Sequence, residues 1–113
     1  MHYMLAIMYD PKAKSDGSPS KVAEHQKLEA EMRASGHYRS GGGLMPGEMF
    51  TKTVRHDADA ILVTDGPFAE TREVLGGYFL VECSEEDALA YAGRIAVDNR
   101  SWISVRQVFI YRP

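Results

Sequence analysis

Two stretches of helical period set among short runs of strand period predict an α+β protein, an antiparallel sheet with two helices on one face. The segment order is strand, helix, two or three hairpin strands, strand, helix, strand, joined by short polar connections. A third observation, apolar residues on both sides of the strands, bears on what must lie against that sheet. The chain has 113 residues, 44% hydrophobic and 26% charged. That length supports one modest core and not two, so a single domain over residues 1–113 is expected.

The first strand is read at residues 3–9, where every position is apolar. No Lys or Arg precedes it and Asp10-Pro11 follows, so it reads as a strand rather than a signal peptide or membrane span. Residues 11–20, rich in Pro, Ser, Lys, Asp and Gly, form a solvated loop. Ser18 before Pro19 suits a helix N-cap and first turn. Val22, His25, Leu28 and Met32 then recur at spacings of three, three and four, with Lys21, Glu24, Lys27, Glu31 and Arg33 on other faces. Gly36 supplies the stop.

Strand-like pieces follow at residues 37–44, 49–55 and 60–64, with a hairpin turn at residues 56–59. Gly41-Gly42-Gly43 lacks the Gly-Lys-Ser/Thr of a phosphate loop and reads as a bulge or close backbone approach. Residues 76–83 form a further strand, while periodicity leaves residues 69–75 ambiguous. Ser84 followed by Glu85, Glu86 and Asp87 caps a second helix over about residues 85–96, with Leu89, Ala92, Ile95 and Ala96 as its apolar stripe. A turn at residues 98–101 leads to a closing strand at residues 102–111.

This order favours a ferredoxin-like sandwich, in which two helices blanket one side of the sheet only. Yet Met4, Ala6 and Met8 are as apolar as Tyr3, Leu5 and Ile7, and Tyr78/Leu80 and Trp102/Val108 double Phe79/Val81 and Ile103/Val105 in the same way. A soluble monomer rarely exposes a patch of that size. A two-fold homodimer with sheets packed face to face needs only one self-complementary surface, and is the expected assembly.

Residues 65–73, Asp-Gly-Pro-Phe-Ala-Glu-Thr-Arg-Glu, followed by Val-Leu-Gly-Gly-Tyr-Phe, resemble the signature of the DGPF-domain family, part of the YCII-related superfamily. Tyr3-Met4-Leu5, the helix ending near Ser35-Gly36, and residues 84–92 extend the resemblance over nearly the whole chain. Arg72 stands where that family usually has Lys, its closing Val-Arg-Pro-Val reads Val105-Arg106-Gln107-Val108, and the Pro that often follows its second helix is missing. The resemblance implies a dimeric α/β-barrel, bacterial and cytoplasmic, often encoded beside extracytoplasmic-function sigma factors. It also implies a proton-transferring His and Asp pair, carried here onto His25 and Asp65.

Read from the residues alone, Pro67 disfavours helical dihedrals at Gly66 and forces a sharp exit from the strand, leaving Asp65 at its end. An Asp before Gly-Pro is equally a turn former, and His25 equally a core-edge histidine. The functional reading makes the pair a general acid/base: the carboxylate fixes the imidazole tautomer and the other ring nitrogen exchanges a proton with substrate. Arg106, on the strand face of Trp102 and Val108, must find an anion there. Gly66, Pro67, Phe68, Glu70 and Arg72 form a loop able to close a pocket at a dimer rim. His56, Asp57 and Asp59 read as hairpin residues rather than metal ligands.

No cofactor motif is visible, and Cys83, the single cysteine, permits no internal disulfide and fits a reducing compartment. Thirteen Lys and Arg against sixteen Asp and Glu, both signs scattered, give a formal charge of −3 and no basic stripe for nucleic acid or anionic lipid. Two functions therefore stand: a small cofactor-free enzyme of isomerase or lyase type acting on a small organic molecule, or a non-catalytic ligand-binding or regulatory dimer.

Overall fold

The computed structural model describes residues 1–10, 19–45, 50–67, 74–95 and 101–111. The elements are β1 (His2–Tyr9), α1 (Pro19–Ala34), β2 (Tyr38–Gly43), β3 (Lys52–Asp57), β4 (Ala60–Asp65), β5 (Val74–Glu82), α2 (Glu85–Ile95) and β6 (Ser101–Val108). Four strands form one sheet in the order β2-β5-β1-β6, with all neighbours antiparallel. This order is compatible with the ferredoxin-like sandwich. β3 and β4 pair only with each other, as a separate two-stranded sheet inserted between β2 and β5. The expected N-cap at Ser18, the loop before it, Ala96 and the turn before β6 lie outside the described residues.

Alternation along the strands sends Tyr3, Leu5, Phe79 and Val81 to one side, where Leu28 and Met32 of α1 and Ala88 and Ile95 of α2 complete the core. Both helices therefore cover the same face. Each helix is rotated from its expected stripe. At about 100° per residue, the step of three in Val22-His25-Leu28 drifts steadily, so Val22 falls roughly 100° from the middle of Leu28 and Met32 and is exposed. In α2 the buried residues are Ala88, Ala92 and Ile95, while Leu89 faces solvent one residue off that line. Ala88 lets the α2 backbone come close to the sheet where a leucine would hold it away.

The helix ends follow local chemistry. Gly36 adopts a left-handed φ of +76°, which lets the Gly36 N–H donate to Arg33 O and the His37 N–H donate to Met32 O, satisfying two carbonyls of the last turn. At the start of α2 the Ser84 hydroxyl accepts from the Asp87 N–H at 3.1 Å.

The opposite sheet face carries Met4, Met8, Tyr78, Leu80, Trp102 and Val108, all half-buried. Ala6 is buried there, between its register partners Tyr78 and Ser104. The last strand stops at Val108 rather than at residue 111 because Val108 pairs with His2, at the very start of β1. Phe109 and Tyr111, beyond it, are exposed and touch edge to face.

Candidate functional site

His25 lies on the helix-covered side of the sheet. It is half-buried, and its ring meets Phe79 edge-on, with centroids 6.1 Å apart and planes at 89°. Asp65 is the last residue of β4. Its side chain is 86% exposed and ion-paired with Lys52, its register partner on β3. The carboxylate is thus taken up by a lysine of the neighbouring strand. Gly66 makes the sharp exit that its sequence foretells, with φ +85°. Its N–H donates to Thr51 O at 2.8 Å and its carbonyl accepts from the Thr53 hydroxyl at 2.7 Å, so the strand exit is tied back to β3. Pro67 follows, exposed. Phe68, Glu70 and Arg72 lie outside the described residues.

Arg106 projects from β6 opposite Met4, on the face of Trp102 and Val108 as expected. It is exposed, and no carboxylate among the described residues lies in ion-pair range of it. A guanidinium on a largely apolar face, with no anion beside it among the described residues, is a ready donor to a ligand carboxylate or phosphate. Ser40 and Tyr78 put two hydroxyls 3.3 Å apart on that same face. The open face therefore combines apolar contact area, a cation with no ion-pair partner among the described residues and a hydroxyl pair, the ingredients of a site that orients a small polar organic molecule.

Sequence reasoning misses two polar groupings. Arg39 donates through Nη2 at 2.9 Å and Nε at 3.2 Å to Glu82 Oε1, and His2 Nε2 stands 3.5 Å from the same oxygen. The Arg39 hydrogen bonds, then the charge of His2, hold the Glu82 carboxyl below its ordinary value. The register shift between Tyr38 and Ser40 leaves Arg39 as an extra residue that strand alternation cannot place. The second grouping joins His37 Nδ1 to the Tyr91 hydroxyl at 2.8 Å, between residues 54 apart in sequence. No local pattern signals such a contact.

Burial, and then the nearby Asp87 charge, raise the Cys83 thiol, which makes it a poor nucleophile. His56 and Asp57 are consecutive strand residues and point to opposite faces of the hairpin, so they do not converge on one ion. No described helix is long and apolar enough to cross a membrane.

An antiparallel sheet with two helices on one face, and a half-buried, polar-dotted face on the other, defines the class as a small α+β sandwich. The YCII-related domain profile matches residues 1–110, and the chain belongs to that family. Uncharacterized protein R00369 of Rhizobium meliloti (strain 1021) is 42% identical over 64 residues, covering 54% of this chain and 52% of that protein. The chain thus spans about half the length of this curated relative.

Proposed function

We propose that the chain works as a cytoplasmic homodimer, a dimeric α/β-barrel, whose open sheet faces enclose a site for a small organic molecule bearing an acidic group. The observation that carries this reading is Arg106, exposed and without a described protein anion, on the sheet face that the helices leave uncovered. Arg106 anchors the acidic group and the Ser40–Tyr78 hydroxyls orient the rest. In the catalytic form of the proposal, the substrate instead lies on the helix-covered side, where His25 meets Phe79, and His25 and Asp65 are the acid/base pair of a cofactor-free isomerase or lyase.

The second reading, a ligand-binding or regulatory dimer associated with a sigma-factor system, is favoured by one feature: the Asp65 carboxylate is already engaged by Lys52. A carboxylate already paired with Lys52 is not free to orient an imidazole. Light scattering at micromolar concentration is expected to give twice the 12.6 kDa chain mass. Titration with a panel of small carboxylic acids should then show binding that Arg106→Ala weakens by roughly tenfold or more. In the catalytic form, His25→Ala binds as the parent does and loses turnover. An Arg106→Ala variant with unchanged affinity for every acid that binds would remove the site from the open face. A structure of the pair with His25 and Asp65 of either subunit more than about 10 Å apart would remove the acid/base roles.

A further inference from the structure

We infer that the β3–β4 hairpin is an arm that grips a second copy of this chain, through the face formed by Val54, Ile61 and Val63. The inference deepens the dimer reading and rests on it. The register pairs Lys52 with Asp65, Val54 with Val63 and His56 with Ile61. Strand alternation therefore gathers these six residues on one face and leaves Thr53, Arg55, Asp57, Ala60, Leu62 and Thr64 on the other. The middle of the first face, Val54, Ile61 and Val63, is apolar. Yet Val54 is 62% exposed, Ile61 61% and Val63 61%.

A two-stranded sheet of this kind is marginal in water unless something covers it. Shape agrees: the radius of gyration is 15.9 Å, against about 13 Å for a compact chain near this length. The arm adds extent without adding core, since no residue of β3 or β4 belongs to the buried cluster.

Charge and area point to a second copy as the cover. Lys52 and Asp65 on the face neutralise each other, so the face carries no cluster of like charge to select nucleic acid or a charged lipid surface. With strands about 4.8 Å apart and residues about 3.3 Å along, the open face of the four-stranded sheet offers on the order of 500 Å². A stable interface needs about 800 Å² per partner. The arm face, estimated in the same way, adds roughly 200 Å² and brings the total near that requirement. A two-fold contact in which the arm reaches onto the other copy is the assembly that uses both uncovered surfaces.

The test pairs Val54→Lys/Val63→Lys with hydrogen exchange on the unmodified protein. The substitutions are expected to raise the dimer dissociation constant by roughly 100-fold, with the far-ultraviolet circular dichroism unchanged. In the unmodified protein, amides of residues 52–65 should be protected at micromolar concentration and lose that protection on dilution. Rapid exchange of those amides in a protein that is dimeric overturns the arm, whatever the variant does, and leaves sheet-face pairing standing. An unmodified protein that is monomeric at these concentrations overturns the dimer reading and the arm with it.

Discussion

Gly41 sits where a methyl group has no room: a Cβ there would lie 3.0 Å from Phe79 Cδ1 and 3.1 Å from both the Tyr38 hydroxyl and the Tyr78 carbonyl oxygen. At Gly43 a Cβ would meet nothing within 4 Å. Gly41→Ala is therefore expected to cost about 1–3 kcal/mol through overpacking, outweighing the ~0.4–1 kcal/mol gained from a stiffer unfolded chain. Gly43→Ala keeps only the gain and should be neutral to slightly stabilising; urea midpoints of the two variants make the comparison. Met32, with no exposed surface, should lose about 2–5 kcal/mol as Met32→Ala. The glycine run announced a close approach or a bulge: the close approach occurs at Gly41, whereas the register shift falls before the run, between Tyr38 and Ser40, and sequence could not say that Gly41 alone of the three is crowded. That depends on Phe79, brought beside it by β2–β5 pairing.

At the scale of elements, all six strands and both helices were legible, with boundaries shifted by a few residues. Helix starts and stops were the clearest, because caps act through neighbours in sequence. Ser84→Ala, which removes the hydroxyl that accepts from the Asp87 N–H, should destabilise α2 by about 1 kcal/mol, measured as a fall in the thermal midpoint. The phase of each helix was less legible. An apolar spacing of three or four fixes a stripe only to within one residue's rotation, and the sheet surface then selects Ala88 over Leu89. The hairpin turn likewise tightened to Ala58 and Asp59, because Asp57 and Ala60 still pair across it.

For the whole molecule, two inter-element ion pairs give a pH dependence. Arg39 bridges to Glu82, and Arg94 of α2 bridges to Glu31 of α1. Each arginine, through its hydrogen bond first, holds its carboxyl below the ordinary value of 4.5. The unfolded chain therefore takes up these protons before the folded chain does. The stabilisation is complete above pH 4.5 and fades as the pH falls through and below that value. The urea midpoint should drop between pH 6 and pH 3, and less steeply in Glu31→Gln/Glu82→Gln. Molar salt should shrink the difference, because both pairs are solvent-exposed.

The amino-acid sequence by itself determined the element order, the α+β class, the membership that its Asp-Gly-Pro-Phe stretch suggested, and the presence of two apolar strand faces. These rest on periodicity and on neighbours a few residues apart. Only the tertiary structure decided which face the helices cover and which they leave to Arg106. It alone set β3–β4 apart from the main sheet, gave Asp65 to Lys52, and joined His2, Arg39 and Glu82. Each of those outcomes follows from strand register and helix placement, which couple residues far apart in the chain and leave no trace in its local patterns.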